Sequence, residues 1–449
     1  MISRDQFIEE FSKKCFNNEA ALFLGAGISS DAGLPSWKEL FKPLADELEI
    51  DLEKTDYQLY DIAQFYANEN GLSELHKNIS NEIKCVNDKS AALDELTNMQ
   101  CNSIWTTNFD KSLENNYYRK GKKTNVISTE TNLISSDLNK NINIFKMNGD
   151  IDCLTNATVT KNDFEYYKDN HNIMLAFFKR ELIVKTFLFL GYSFTDSLVL
   201  PCISELSRAL QNDQPYHYCI MKKKESADFE NFINDLEKRY HIKTLLISDY
   251  KEIPTILKDI NYCTNKNNVF ISGSSTESDI ENLKKISDFC NKLTYSLYRS
   301  KFRIVNGYGQ KIGYYIASAA TKIMIEENVT SFEKYLLMYP FNEHLDAEQK
   351  KKHRNFMISK SNIAIFIYGS GTKDSGMYEE FEIVRADPMK IIIPVGFTGG
   401  TAKIIYDEVK KDLIHYPYLE KYITCLGSDE YNDKIADVII SIIKEALNS

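Results

Sequence analysis

Glycines placed directly after an apolar run are the residues of this chain best suited to binding a phosphorylated ligand. Gly25 and Gly27 follow the apolar run Ala20–Leu24, and the pattern predicts that they precede a helix. A residue without a Cβ atom lets the backbone approach a pyrophosphate closely, and a helix N-terminus adds unpaired N–H donors and a favourable dipole. A glycine pair alone also fits a tight turn. The phosphate cradle therefore depends on other segments that point to the same ligand.

Three later segments place polar side chains after apolar runs. WTTNFD contains Asn108 and ends at Asp110, FKMNGD contains Asn148, and FLGYSFTD contains Gly191 and Ser193. An asparagine in such a position, taken alone, also fits an Asx turn at the end of a strand. Because the segments occur in a fixed order after the first glycines, they favour one composite ligand site.

Together these segments resemble the sirtuin family over roughly residues 15–220, and GAGISSDAGLPSW (Gly25–Trp37) is the most diagnostic of them. The resemblance implies cleavage of the nicotinamide N-glycosidic bond of NAD, through an oxocarbenium-like transition state that oriented oxygens stabilise. It implies that Asn108 and Asp110 position the nicotinamide ribose, and that Ser29 lies near the phosphates or the ribose. The implied NAD-binding residues are Gly25, Ala26, Gly27, Ser29, Pro35, Asn108, Gly191 and Ser193.

Cysteine spacing separates this chain from the sirtuin deacylases, which carry a four-cysteine zinc module. No two of its nine cysteines form a C-x-x-C pair, which predicts neither a zinc site nor a disulfide framework. We interpret them as buried, reduced thiols, and we expect no metal cofactor. The resemblance therefore implies an NAD glycohydrolase, with NAD as substrate. The cysteines are Cys15, Cys85, Cys101, Cys153, Cys202, Cys219, Cys263, Cys290 and Cys425.

Asn148 stands where the family motif K-x-H-G-D has its catalytic histidine. An amide cannot shuttle a proton near neutral pH, although it can hydrogen-bond a ribose hydroxyl. We therefore predict that NAD binding survives while hydrolysis is impaired. Two explanations stay open, an engineered inactivating substitution and a naturally degenerate site. His171 matches no motif, and we interpret it as a surface histidine.

The second half of the chain also ends apolar runs in glycine and serine, in VFISGS, RIVNGYG and AIFIYGSG. Such loops converge at the carboxyl ends of parallel strands and form a nucleotide pocket. Arg354 and Lys373 could neutralise phosphates there, and Glu380 could accept hydrogen bonds from ribose hydroxyls. A surface-helix arginine and a mobile turn remain the alternatives for Arg354 and Lys373. The candidate ligand residues are Gly273, Ser274, Gln310, Arg354, Lys373, Gly376 and Glu380.

This region, about Val269–Ser449, resembles the SLOG family. GSGTKDSGMYEEFE lacks the proline of the P-G-G-x-G-T-x-x-E motif found in related hydrolases and displaces its acids, so sensing is favoured over hydrolysis. A sirtuin-like domain followed by a SLOG domain resembles the effector family of the bacterial Thoeris anti-phage defence system. That resemblance implies a partner TIR-domain enzyme that makes a cyclic ADP-ribose isomer. It also implies a homo-oligomer, a tetramer or larger, which rearranges when the SLOG domain binds the signal and then depletes NAD.

The elements that must position these residues follow from apolar runs that alternate with amphipathic stretches. This alternation predicts an α/β fold with two doubly wound parallel (Rossmann-like) sheets. A short helix followed by the polar connector CTNKNN places the domain boundary near residue 265, which gives domains 1–265 and 266–449. The predicted strands are Ala20–Leu24, Ser103–Thr106, Ile142–Lys146, Thr186–Leu190 and Tyr216–Met221, followed by runs that begin at Asn268, Arg303, Ala364 and Lys390.

Charge and hydropathy limit the partners. The 449 residues include 54 basic and 64 acidic side chains, and a net charge of -10 disfavours nucleic acid and anionic membranes as partners. No apolar run approaches the roughly 20 residues of a spanning helix, and Met1–Ala20 has no signal-peptide core. We therefore predict a soluble, cytoplasmic protein that binds small ligands. A non-catalytic nucleotide sensor, a protein deacylase and a C-terminal nucleoside-phosphate hydrolase remain alternative functions.

Overall fold

Parallel strands alternate with helices along the whole chain, which is seen here in a computed structural model. The contacts divide it into two units, Met1–Thr264 and Asn265–Ser449, each built around one sheet. Every strand pair recorded is parallel, which confirms the predicted α/β class with two doubly wound parallel sheets. The structure describes residues 1–29, 33–83, 90–138, 142–194, 198–210, 213–275, 280–329, 332–342, 344–428 and 434–448.

The first unit holds a sheet that has seven strands within the described residues. The strands are β1 (Ala20–Leu24), β2 (Ser103–Thr106), β3 (Thr124–Ile127), β4 (Ile142–Lys146), β5 (Thr186–Leu190), β6 (His217–Lys222) and β7 (Ile242–Ile247). They lie in the order β3-β4-β2-β1-β5-β6-β7. The helices of this unit are α1 (Arg4–Phe16), α2 (Trp37–Glu47), α3 (Leu59–Asn70), α4 (Leu72–Ile83), α5 (Ala91–Leu96), α6 (Ser112–Arg119), α7 (Glu130–Ser135), α8 (Lys161–Glu165), α9 (Tyr167–Asn170), α10 (Asn172–Val184), α11 (Val199–Leu210), α12 (Ala227–Tyr240) and α13 (Ile253–Asn265).

Strand β1 lies at the point where the strand order reverses. Its side chains are buried on both faces, with Leu22 and Leu24 in one core and Phe23 in the other, as expected for a strand covered by helices on both sides. Leu24 is in register with Thr106 of β2 and with Leu190 of β5. The loops after these three strands therefore open at the same edge, where ligands bind in doubly wound sheets.

A layer of helices covers the loops that follow β2 and β4. Helices α2, α3 and α4 share an apolar cluster with Phe109 and Val159, which lie beyond the ends of those strands. Helix α2 begins after Ser36 in a capping box, in which the Glu39 N–H donates to the Ser36 Oγ at 3.3 Å and the Ser36 N–H donates to the Glu39 carboxylate at 2.8 Å. The layer closes one side of the site.

The second unit holds a sheet that has five strands within the described residues. The strands are β8 (Asn268–Ser274), β9 (Arg303–Asn306), β10 (Leu336–Met338), β11 (Ile363–Tyr368) and β12 (Ile391–Val395). Their order is β10-β9-β8-β11-β12, so the order reverses at β8. The helices are α14 (Ile280–Arg299), α15 (Ile312–Glu326), α16 (Ala347–Ile358), α17 (Gly376–Arg385), α18 (Gly400–Lys411), α19 (Ile423–Leu426) and α20 (Ile435–Asn448).

The sequence did not predict strands β3, β7 and β10, and all three lie at sheet edges. The residues of β3 and β10 are only partly buried, so their apolar runs are weaker than those of the central strands. The predicted polar connector is wrong in its first half, because α13 continues to Asn265 and buries Ile260 and Thr264. Within the described residues, no helix combines the length and the apolar character needed to cross a membrane.

Candidate functional site

Asn108 lies just beyond the end of β2 and is held there by its neighbours. The Thr106 hydroxyl donates to the Leu24 carbonyl at 2.9 Å and accepts from the Asn108 N–H at 3.0 Å. The Asn108 amide nitrogen donates to the Gly25 carbonyl at 3.2 Å and to the Ser29 hydroxyl at 3.3 Å. No described group donates to its buried Oδ1. A fixed acceptor without a donor suits a ligand hydroxyl, because a buried polar atom is costly when it is unpaired.

A small cleft, with a cavity volume of about 30 Å³, brings together five of the residues predicted for NAD. Apolar side chains form much of its wall, and the Trp37 ring lies 5.4 Å from that of Phe109. Such a wall excludes water from the few polar groups that face a ligand. The five predicted residues are Ala26, Ser29, Pro35, Asn108 and Asp110.

The glycines of the first motif serve close packing between two loops. The N–H groups of Gly25 and Gly27 donate to the carbonyls of Leu190 and Gly191, at 2.9 and 3.0 Å, so they are already engaged within the protein. A Cβ atom on Gly25 would lie 2.4 Å from the Gly191 oxygen, and one on Gly191, whose φ is +62°, would lie 2.3 Å from the Ile28 nitrogen. Gly25 and Gly191 must therefore lack side chains for the two loops to pack this closely.

The helix predicted after these glycines begins at Trp37, beyond a single 3-10 turn, Ala26–Ile28, that includes Gly27. Pro35 and the capping Ser36 set that start, since proline and a serine cap both favour the beginning of a helix. Part of this motif, Ser30, Asp31 and Ala32, lies outside the described residues, as do Thr195 and Asp196 of FLGYSFTD. Ser193 is exposed, and neither Ser193 nor Gly191 lines the cleft.

Asn148 lies in the loop after β4 and is only 3% exposed. Its carbonyl accepts from the Thr158 N–H at 2.9 Å, and no described group donates to its side-chain Oδ1. The next residue, Gly149, has a φ of +95°, and a Cβ atom there would lie 2.8 Å from the Ala157 Cα. The loop is therefore tightly fixed. Asn148 is not among the residues that line the cleft.

The loops after β2 and β4 meet at a buried lysine that sequence reasoning missed. Lys146 forms ion pairs with Glu114 at 2.6 Å and with Asp150 at 2.8 Å. Burial raises the pKa of the Asp150 carboxyl, but Lys146, the Asp152 N–H and Lys111 together outweigh it and leave the pKa lowered. For Glu114, burial outweighs Lys146, and its pKa is raised. With Ser29, Asn108 and Asp110, Lys146 and Glu114 line a second, adjoining pocket. A lysine inside the apolar run INIFK was the available signal.

His171, interpreted from the sequence as a surface histidine, is half-buried. Its ring lies 4.6 Å from the ring of Tyr167, whose hydroxyl donates to the Met147 carbonyl at 2.8 Å. Burial lowers the pKa of His171. It lines neither pocket of the first unit that holds Asn108.

The cysteines only partly match the prediction of buried thiols. Cys153 and Cys425 are exposed, Cys263 is half-buried, and Cys85 lies outside the described residues. The eight described cysteines are free thiols. Within the described ranges, no group of three or more His, Cys, Asp or Glu side chains is placed to hold a metal ion.

In the second unit, a cleft of about 320 Å³ opens at the carboxyl ends of β8, β9 and β11. Two predicted residues do not line it. Lys373 is exposed and ion-paired with Glu408, and Gln310 is exposed, with its carbonyl bound by the Ser275 N–H at 2.9 Å. The candidate ligand residues that do line the cleft are Gly273, Ser274, Arg354, Gly376 and Glu380. Ser272 and Ser370, from the predicted glycine- and serine-ended runs, also line it, as do Phe341 and Ser375, which were not predicted.

Arg354 and Glu380 provide the charge of this cleft. The Arg354 guanidinium donates to Glu379 at 2.6 Å, approaches the Glu380 carboxylate at 3.6 Å, and lies 5.2 Å from the centre of the Phe341 ring. Glu380 accepts from the Ser272 hydroxyl at 2.5 Å. A Cβ atom on Gly376 would lie 2.4 Å from the Arg354 guanidinium, so this glycine lets the cation reach the start of α17. The Arg354 guanidinium, the Glu380 carboxyl and the glycine loops thus line the same cleft.

Burial makes Glu380 a source of pH dependence. It raises the pKa of Glu380 from its ordinary 4.5 to about 7, against the opposing effects of Ser272 and Arg354. Between these pH values the folded state holds a proton that the unfolded state releases, so stability falls as pH rises from 4.5 to about 7. We expect Glu380→Gln to flatten the unfolding temperature across this window, measured by calorimetry, while the exposed Glu420→Gln leaves the slope intact. Identical slopes for parent and Glu380→Gln would contradict the prediction.

Two parallel sheets, each with a cleft at its switch point, define a class of two-domain α/β proteins with a separate ligand site in each domain. A family model described as SIR2-like domain matches residues 102–245, and one described as Sir2- and TIR-associating SLOG family matches residues 252–446. Defense-associated sirtuin 2 of Bacillus subtilis is 22% identical over half of this chain and 22% of its own length.

Relatives named NAD(+) hydrolase ThsA match nearly the whole chain. The protein from Bacillus cereus (strain MSX-D12) is 30% identical over 98% of this chain and 97% of its own length. The protein from Enterococcus faecium is 33% identical over 97% of this chain and 98% of its own length. The chain belongs to the ThsA family of NAD(+) hydrolases, which confirms the family predicted from its motifs.

Proposed function

We propose that the first unit cleaves NAD to ADP-ribose and nicotinamide, and that a cyclic ADP-ribose isomer bound in the second unit activates it. The full-length relatives named NAD(+) hydrolase support the first half of this proposal. The SLOG family match supports a nucleotide ligand for the second unit. The observation that carries the proposal is the buried Asn108 Oδ1, an acceptor without a donor among the described residues, in a cleft built by the predicted NAD residues.

The residues around this acceptor fit the chemistry of N-glycosidic cleavage. Loss of nicotinamide leaves positive charge on the ribose, and fixed oxygens such as the Asn108 Oδ1 and the Asp110 carboxylate can stabilise that charge. Trp37 and Phe109 exclude bulk water from the same cleft. Asn108 also fixes Ser29 through its amide nitrogen, so one side chain organises both sides of the cleft. NAD is the substrate, and no metal takes part in the proposal.

Asn148 limits this activity in the chain as it stands. A buried amide with an unpaired acceptor can bind a hydroxyl but cannot accept a proton. We therefore propose a catalytically impaired hydrolase that still binds NAD. A non-catalytic nucleotide sensor is the second candidate, and Asn148 is the observation that favours it.

Activation requires that the signal nucleotide bind the active arrangement more tightly than the resting one, since equal affinity would shift nothing. We propose that this coupling operates within a homo-oligomer in the cytoplasm, and that a TIR-domain enzyme of the Thoeris system supplies the signal. The charged cleft around Arg354 and Glu380 supports an anionic nucleotide with free ribose hydroxyls as that signal.

Calorimetric titration of the full chain with NAD, and separately with cyclic ADP-ribose and its linkage isomers, tests the proposal. We expect two ligands that bind without competing. Asn108→Ala should weaken NAD binding by about tenfold, the value of one lost hydrogen bond to a buried site, and leave the isomer unaffected. The exposed Asn98→Ala serves as the control. Competition for a single site, or NAD binding that is indifferent to Asn108→Ala, would contradict the proposal.

A further inference from the structure

The buried ammonium of Lys146 is the feature of the first unit that the proposed chemistry does not use. Lys146 is the last residue of β4, and its side chain is 1% exposed. Two carboxylates neutralise it, Glu114 from α6 at 2.6 Å and Asp150 from the loop after β4 at 2.8 Å. Burying a charge is costly unless it is paired and hydrogen-bonded. The two carboxylates provide this pairing for Lys146.

The same ammonium also binds the backbone of the neighbouring loop. Its Nζ donates to the Asp110 carbonyl at 2.6 Å and to the Phe109 carbonyl at 3.2 Å, directly after Asn108. On the other side, its partner Asp150 is two residues beyond Asn148. The Lys146 ammonium thus contacts both the loop that carries Asn108 and the loop that carries Asn148.

A role in stability alone does not explain this arrangement. A buried ion pair is often replaceable by apolar side chains without loss of stability, so pairing with Glu114 by itself would be dispensable. The bonds to the two carbonyls are different, because they fix where the β2 loop runs. Lys146 is in register with Thr106, so the two residues end neighbouring strands at the edge of the sheet from which the β2 loop begins.

We propose that Lys146 is a positioning residue of the NAD site, which holds the Asn108 loop against the Asn148 loop at the separation that the nicotinamide ribose requires. This inference rests on the proposed function of the first unit. Lys146 touches no substrate atom in it; it acts through Asn108. Removing the Lys146 side chain should therefore lower NAD affinity only in a protein that still has Asn108.

The test uses the full chain with Lys146→Met and Glu114→Leu combined, which removes the cation without stranding Glu114, while Asp150 keeps Lys111 at 3.3 Å. Hydrogen exchange without ligand should quicken by about tenfold at residues 106–111, relative to β1, as expected for the loss of a coupled contact. NAD affinity should fall by about tenfold, and by little more when Asn108→Ala is added. Lys146→Arg, which keeps the positive charge, should show smaller changes than the double variant in both hydrogen exchange and NAD affinity.

Lys390→Met is the matched control, because Lys390 donates to the Ser361 and Ile358 carbonyls in the second unit. It should leave exchange at 106–111 and NAD affinity unchanged. Unchanged exchange in a folded Lys146 variant, or losses that add fully to those of Asn108→Ala, would overturn the inference. If the parent chain binds no NAD, the proposed function fails, and the positioning role for NAD fails with it. The exchange rates then still report whether Lys146 holds the loop. If the double variant does not fold, Lys146→Arg is compared with the parent chain by the same two measurements. Exchange at the parent's rate combined with NAD affinity below the parent's would overturn the inference.

Discussion

Replacing Asn148 by histidine is expected to raise the rate of NAD cleavage by about 10²- to 10⁴-fold, the range that general acid–base catalysis supplies. An imidazole exchanges a proton near neutral pH, whereas the Asn148 amide does not. The loop is already fixed, by the Asn148 carbonyl at 2.9 Å from the Thr158 nitrogen and by the close packing of Gly149 on Ala157, so a ring at this position would be held in place. Release of nicotinamide from NAD, followed by chromatography, measures the rate.

Two further variants make this result specific. Asn148→Gln keeps an amide and should stay at the parent rate, and His171→Ala in the Asn148→His protein should keep the gain, because His171 lines neither pocket. The assay should be run with and without cyclic ADP-ribose isomers. Equal rates in both conditions would rule out the regulated hydrolase. No gain from Asn148→His in a protein that binds NAD would favour the non-catalytic sensor.

Loss of Arg354 should weaken binding of the cyclic ADP-ribose isomer by about 10- to 100-fold, because hydrogen bonds to charged groups contribute roughly 1.5–3 kcal/mol. Its side chain is 14% exposed, lies against Phe341 and faces the cleft beside Glu380. Arg354→Met keeps much of the apolar contact and removes the charge. Calorimetric titration of the full chain with each isomer gives the affinities.

Lys373→Met provides the comparison for Arg354. Sequence reasoning gave both residues the same task, but Lys373 is exposed, ion-paired with Glu408 and absent from the cleft lining. We expect its substitution to change the affinity little, since exposed ion pairs contribute little. A larger loss for Lys373→Met than for Arg354→Met would show that the ligand binds outside the cleft assigned to it.

The central strands could be predicted because each is a short, continuous apolar run. Strands β1 and β5 are buried over their full length, and their predicted bounds agree with the structure. The edge strands β3 and β10 could not be found in this way, since their residues are only partly buried and the apolar pattern weakens accordingly. The residue at which α2 starts was not predicted, because Pro35 was assigned to the ligand site and the capping role of Ser36 was not considered.

The sequence by itself determined the two parallel sheets, the order of their motifs and the family, because these depend on local apolar runs and on short strings of residues. Only the tertiary structure decided which of those residues meet. It placed Lys146 against the backbone that follows Asn108, packed Gly25 against Gly191, and left Lys373 outside the second cleft. Such contacts join residues that are distant along the chain, and strand register and loop path set them. A one-dimensional pattern does not contain that information.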